Sequence, residues 1–272
     1  MNRSLIAAHR GAAAGNIHCN TWIAYEAALA QGADIMEIDV SRSQDGQLFV
    51  FHPGQEPNHL GSARLIADMT ADDVRRLRYL NVDNCPTQVG VSTLDEVLEQ
   101  LKSRCRINID KFPLFMEDIV RTVRRHDMTD QVIVKTNADP RLFDRVEQIA
   151  PDLPYMVFAR GTDDFSAGLK RRRLRYEGTE IIFPTEDCQV AQRSYVEDMH
   201  RMGLKVWANA IVFDYRRVLA AGHNDDISVA GRPDDGWGFL MDLGVDMIQT
   251  DWPGMLRDYQ ALRAEKARGV RT

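Results

Sequence analysis

The chain has little of what would place it outside ordinary globular enzymes. No apolar run approaches the roughly 20 residues of a membrane span. The first apolar stretch, Leu5 to Ala8, stops at His9 and Arg10 before a signal-peptide core forms, so the expectation is a cytoplasmic protein without stable membrane insertion. Basic residues are not in excess: 34 Lys+Arg stand against 40 Asp+Glu, a net charge of −6, which argues against a nucleic-acid partner. An anionic substrate would then need a local basic pocket or a metal. Cysteine is sparse. The four, Cys19, Cys85, Cys105 and Cys188, lie far apart with no CxxC or CxH spacing, which disfavours a disulfide framework and a structural zinc site. Repeats, low-complexity tracts and linkers are absent, so one domain over 1–272 is expected. With 44% hydrophobic and 27% charged residues, the 272-residue chain can bury a full core.

What is present is an alternation. Short β-rich runs occur at 5–8, 34–40, 48–52, 105–110, 131–135, 155–159, 180–183, 204–208 and 246–250. Several read as unbroken Val/Ile/Leu, as in parallel strands covered on both faces. Amphipathic stretches lie between them, such as 21–31 and 93–102, the latter opened by the capping box Thr93-x-x-Glu96. Strand then helix, repeated, is an α/β pattern. The 48–52 run follows its predecessor too closely for a helical crossover and must return as a hairpin, leaving eight βα units. The length is near the ~250 residues of a TIM (β/α)8 barrel. The expected fold is therefore that barrel, with an extra hairpin strand and an insertion over about 53–104 after strand 2. An open doubly wound sheet is the alternative. The stretches 53–104 and 209–245 would both hang over the C-terminal face, where barrel enzymes hold their sites.

The hairpin carries the first chemical signal. Asp45-Gly46 favours a two-residue type I′ loop, which pairs Gln44 with Gln47 and sets Asp39 opposite His52, with Cβ atoms roughly 4.5–5.5 Å apart. Glu37 shares that face. These strands are otherwise apolar (Ile35, Ile38, Phe49, Phe51), and buried acids are normally paired or metal-bound, although an exposed polar hairpin face is the plainer reading. His9-Arg10-Gly11 closes the first strand, next to the strand bearing Glu37 and Asp39. Asn108-Ile109-Asp110-Lys111 closes the strand after the hairpin, with Asp110 at the rim. Glu37, Asp39 and Asp110 form an all-oxygen set suited to a hard divalent cation, Mg²⁺ or Ca²⁺, and lack the ligands that zinc prefers. His9 and His52 would flank that ion as acid and base.

His9-Arg10-Gly11, Asn20-Thr21, Gly32 through Val40, Asp45-Gly46 and Val50-Phe51-His52 together resemble the glycerophosphodiester phosphodiesterase family, among the phospholipase C-like phosphodiesterases. Ser92 through Leu98, Lys205-Val206-Trp207, Gly244-Val245-Asp246 and Thr250 through Pro253 extend the resemblance to the C-terminus. It implies a TIM barrel with the 53–104 insertion, and metal-dependent hydrolysis of glycerophosphodiesters to glycerol 3-phosphate and an alcohol. By the same carry-over His9 and His52 are the general acid/base pair, Arg10 binds phosphate, and Glu37, Asp39 and Asp110 bind the metal. Attack is assigned to His9 and leaving-group protonation to His52. The chemistry is coherent, because cations neutralise the diester while two imidazoles with ordinary pKa near 6.5 exchange protons.

Four positions depart from the family pattern. Pro53 stands where an aspartate usually follows the second histidine, Cys19 where an acid precedes Asn-Thr, and Asp110 where glutamate is usual. Lys111 comes one residue early. An aspartate in the third ligand position is similar to sphingomyelinase D-like phospholipases. A lyase forming a cyclic phosphate is therefore one alternative, and a silent phosphate-binding barrel is another. Lys135, placed at the rim of its strand, and Trp207 are candidate substrate or phosphate contacts; Asn209 and the polar loop 223–226 with Trp237 are weaker ones. The basic run 170–175 is read as a solvated surface segment.

Overall fold

A computed structural model describes residues 3–212, 214 and 216–269. Its strands are β1 (Leu5–Ala8), β2 (Ile35–Arg42), β3 (Leu48–Val50), β4 (Arg106–Asp110), β5 (Val132–Asn137), β6 (Tyr155–Arg160), β7 (Tyr176–Ile182), β8 (Lys205–Asn209) and β9 (Met247–Thr250). All except β3 are parallel, and β1 pairs with both β2 and β9, so eight strands close into a barrel. The helices are α1 (Trp22–Ala30), α2 (Glu56–Leu60), α3 (Ala71–Arg76), α4 (Leu94–Leu101), α5 (Met116–Arg125), α6 (Pro140–Ile149), α7 (Ser166–Leu169), α8 (Arg193–Arg201), α9 (Asp225–Val229), α10 (Phe239–Leu243) and α11 (Pro253–Gly269). None of these is long and apolar enough to cross a membrane. The closed sheet is the expected TIM barrel and excludes the open alternative. The Thr93–Glu96 capping box forms as read, and α4 buries the stripe Leu94, Val97, Leu98 and Leu101.

Strand β2 does two jobs. Residues 35–39 pair with β4 inside the barrel, whereas Val40 to Arg42 run past the rim and pair with β3. The hairpin register differs from expectation by one residue. Val40 faces Val50, and Phe51 N donates to Asp39 O at 3.0 Å, so Phe51 and not His52 lies opposite Asp39. The cause is the turn. Ser43 N donates to Gln47 O and Gly46 N to Ser43 O, giving a three-residue loop with Gly46 at φ +91°, a conformation that costs glycine nothing. Strand β7 also begins earlier than expected, at Tyr176. Gly178 hides it from a pattern search, since a Cβ there would sit 1.8 Å from Lys205 O of β8.

The core has three parts. The largest lies between barrel and helices. Phe49 and Phe51 pack with Leu60, Ile66, Val74 and Tyr79 in a separate core that seats the insertion on the β2–β3 hairpin. Ala7, Ile35, Ile133, Met156, Trp207 and Met247 fill the barrel interior. Two residues further along the same strand faces come His9, Glu37, Lys135, Asn209 and Gln249. The apolar floor thus gives way to a polar layer toward the C-terminal ends of the strands, which fixes where chemistry can occur.

Candidate active site at the C-terminal mouth of the barrel

A cavity of about 820 Å³ opens at that end, and its lining includes His9, Arg10, Glu37, His52, Asp110 and Lys111. Six of the eight residues singled out from sequence converge there, counting Asp39, which is wholly buried against Arg10 and within 4.0 Å of His52 Nε2. The one-residue register change does not part Asp39 from His52, because β3 ends at Val50.

Asp39 is the hub. Arg10 Nε lies 2.8 Å from Oδ2, an ion contact off the hydrogen-bond direction. Asn20 Nδ2 donates to the same oxygen at 3.0 Å, and Lys111 Nζ lies 3.2 Å from Oδ1 while also pairing with Asp110. Burial alone would raise this carboxyl's pKa, but Arg10 and Lys111 outweigh it and hold Asp39 below the usual carboxylate range. All three residues gathered around Asp39 have left-handed backbone: Arg10 at φ 57°, Asn20 at 57° and Lys111 at 64°. Such conformations cost energy in non-glycine residues and persist where the surroundings over-determine them. Glu37 behaves oppositely, its pKa raised by burial and then by the Asp39 charge. Its Oε2 accepts from Arg10 N at 3.0 Å.

Ligand oxygens of Glu37, Asp39 and Asp110 lie within 4.8 Å of one another. Asp39 Oδ1 is buried and makes no hydrogen bond, its one charged neighbour within hydrogen-bond range being the Lys111 ammonium at 3.2 Å, so it keeps acceptor capacity for a cation. Three carboxylates, one of them driven toward its neutral form by burial and by the neighbouring Asp39 charge, fit a hard divalent ion.

The two histidines differ in what holds them. His9 Nδ1 lies 2.8 Å from Asp251 Oδ1. Burial opposes charge on this imidazole, but Asp251 and Glu37 overcome it and raise its pKa above 6.5. His52 Nδ1 lies 2.9 Å from the Pro53 carbonyl, which leaves Nε2 as the bare nitrogen of the neutral ring. Burial lowers its pKa below 6.5, with Asp39 only partly offsetting.

Lys135 and Trp207 do not line the cavity. Strand β5 continues two residues past Lys135 to Asn137, so the rim position belongs to Asn137, and Lys135 is buried beneath it. The Lys135 ammonium lies 2.5 Å from Glu180 Oε2 and 3.2 Å from the centroid of the Trp207 ring. Asn209 Nδ2 donates to Glu180 Oε1 at 2.6 Å, and Glu180 and Asn209 do line the cavity. The 223–226 loop is structural. Asn224 caps α9, while buried Asp225 accepts from Trp237 Nε1, Thr250 Oγ1 and Asp251 N at 2.7–2.8 Å. Asp225 thereby sets the backbone of the residue that holds His9. Asp251 lies within a sequence motif that gives it no part, and Glu180, Arg160 and Arg217, which also line the cavity, escape sequence reasoning. Their only signal was position at strand ends or in a long loop.

Known proteins resemble this chain in sequence and in fold. A sequence profile described as a domain of unknown function matches residues 156–260. A glycerophosphodiester phosphodiesterase of Bacillus subtilis (strain 168) is 28% identical over 173 residues, 56% of this chain and 58% of the relative. One from Bacillus altitudinis is 32% identical over 140 residues, 48% of this chain and 57% of the relative. The chain therefore spans less than two thirds of the length of these curated relatives. Among solved structures, a glycerophosphodiester phosphodiesterase from Agrobacterium tumefaciens str. C58 superposes with TM-score 0.68 at 23% identity, covering 93% of this chain and 99% of that one. A phosphodiesterase from Oleispira antarctica, in complex with the product sn-glycerol-3-phosphate, superposes with TM-score 0.66 at 17% identity, covering 93% and 95%. The chain is thus similar to glycerophosphodiester phosphodiesterases in sequence over about half its length, and shares their barrel fold over more than nine-tenths of it.

Proposed function

We propose that the protein hydrolyses glycerophosphodiesters to glycerol 3-phosphate and an alcohol, with Glu37, Asp39 and Asp110 holding one divalent cation, Mg²⁺ or Ca²⁺. The observation that carries this reading is the convergence of His9, Arg10, His52 and the three carboxylates at one cavity mouth. When bound, the cation supplies Lewis-acid polarisation of the phosphoryl oxygens. Arg10 and Lys111 supply further positive charge beside the diester. His52, neutral near pH 7 with Nε2 bare, takes the proton of the attacking hydroxyl. His9, whose pKa the Asp251 carboxylate raises, donates to the departing alkoxide. This reverses the assignment expected from sequence, and the pKa directions support the reversal. Lys135 and Trp207 act from below, positioning Glu180 and Asn209, and do not touch phosphate.

A second reading has one observation in its favour. Leu114 and Val218, both exposed, line the cavity mouth and offer an apolar rim to a lysophospholipid turned over to a cyclic phosphate. Phosphorus NMR of the products separates the two. Glycerophosphocholine converted to glycerol 3-phosphate supports hydrolysis; a persistent cyclic phosphate from lysophosphatidylcholine, with glycerophosphocholine untouched, overturns it. The division of labour is tested by leaving group. A p-nitrophenyl diester needs no general acid, so His9→Ala loses on the order of 10²–10⁴ in rate on an alkyl diester and far less on the p-nitrophenyl one. Equal losses on both reject His9 as the acid.

A further inference from the structure

A second cluster of potential ligands lies outside the acid site. His18 and Cys19, in the loop between β1 and α1, meet His59 of α2, with one donor atom from each within 4.8 Å of the others. They line a separate cavity of about 360 Å³, together with Asn58, Asn81 and Asn84. Two imidazoles and a thiol are the donors that a borderline cation prefers and that Mg²⁺ and Ca²⁺ do not.

The protonation states suit ligation. His18 Nδ1 faces the Cys19 carbonyl at 2.9 Å, which fixes its proton there and leaves Nε2 as the available donor. Its ring is stacked on Tyr79 at 4.4 Å between centroids and meets His59 edge-on at 4.3 Å, so its orientation is held by packing. Neither the His59 ring nitrogens nor Cys19 Sγ has a hydrogen-bond partner among the described residues. Burial lowers the pKa of both imidazoles, His59 to about 4, so both are neutral at physiological pH. Burial pushes the Cys19 thiol up to about 12, so it is a thiol until a cation displaces its proton to solvent.

We propose that His18, Cys19 and His59 bind a zinc-type divalent cation, with the fourth position open to the cavity and filled by water. An inward movement of each donor by under roughly 1 Å reaches the ~2.0–2.3 Å bonds of such a site. Binding exchanges one S–H bond for one S–metal bond and releases one proton. The ion clips the β1–α1 loop to the insertion, whose small core is otherwise separate from the main one. It also fixes Cys19, whose neighbour Asn20 holds Asp39. Spacing rules miss this trio because Cys19 and His59 are forty positions apart.

Cobalt is the probe, since thiolate ligation gives it a near-ultraviolet charge-transfer band that carboxylates cannot. Metal-free protein is titrated with Co²⁺ in excess Mg²⁺. The expected result is a band that saturates at one cobalt per chain and is discharged by Zn²⁺. It is absent in Cys19→Ser, and binding is on the order of tenfold or more weaker in His59→Gln, whose ring has no other polar partner to lose. It persists in Cys85→Ser and in Asp110→Asn. If Cys19→Ser does not fold, the His59→Gln titration decides. No band at equimolar cobalt, a band that survives Cys19→Ser, or undiminished affinity in His59→Gln overturns the proposal. The Asp110→Asn arm keeps this outcome separate from that of the acid site.

Discussion

His9 Nδ1 lies 2.8 Å from Asp251 Oδ1, so the first strand's histidine is held by a carboxylate 242 positions away, brought alongside only because the barrel closes β1 onto β9. Asp251 is itself set by the hydrogen bond from its backbone N–H to Asp225. The acid of the proposed pair is thus tuned by the last strand, and the base by the Pro53 carbonyl at the start of the insertion.

That difference predicts a bell-shaped pH profile for kcat/KM, with one limb on each side of the ordinary histidine value of 6.5. The acidic limb, below 6.5, reports His52 losing its proton to become a base. The alkaline limb, above 6.5, reports His9 losing the proton it must donate. Asp251→Asn removes a carboxylate that raises the His9 pKa, so the alkaline limb moves to lower pH while the acidic limb stays. An unmoved alkaline limb assigns it to another group.

Glu37 is a buried carboxylate beside a second, ionised one. Its folded-state pKa lies above its unfolded value, so the stability it contributes is complete below the ordinary glutamate range near ~4.3 and is lost as pH rises through the higher folded value. In metal-free protein at pH 8, Glu37→Gln therefore raises stability by on the order of 1–2 kcal/mol, a gain that vanishes near pH 4. The same variant loses the stabilisation that Mg²⁺ or Ca²⁺ gives the wild type. Denaturant melts at the two pH values, with and without cation, read both effects.

Asp225→Ala leaves Trp237 Nε1, Thr250 Oγ1 and the Asp251 N–H without their shared acceptor. The expected loss of stability is about 3 kcal/mol. Asp225→Asn keeps two acceptor contacts at most and falls between. Thermal or urea unfolding checks the order; an Ala variant as stable as wild type contradicts the role given to this residue.

Period and register explain what the sequence disclosed. Glu37 and Asp39 share a face because strands alternate. Asp110 joins them because it pairs in register with Asp39, as strand ends aligned by βα units do. The hairpin turn was legible only to within one residue, since Asp45-Gly46 accommodates a two-residue loop or a three-residue loop with Gly46 left-handed, and packing of Phe49 and Phe51 under the insertion favours the latter. Lys135 looked like a rim residue because its β-rich run stops there. Its partner Glu180 comes from a strand 45 positions on, and no local pattern reports an ion pair across a barrel. The Asp251 contact was hidden for the same reason.

The most direct test is release of glycerol 3-phosphate from glycerophosphocholine by chelator-treated protein, with Mg²⁺ or Ca²⁺ restored and His9→Ala and Asp39→Asn beside the wild type. The account predicts no release without cation, recovery with one of the two, and loss in both variants. Release that ignores the chelator, or that survives Asp39→Asn at full rate, contradicts it.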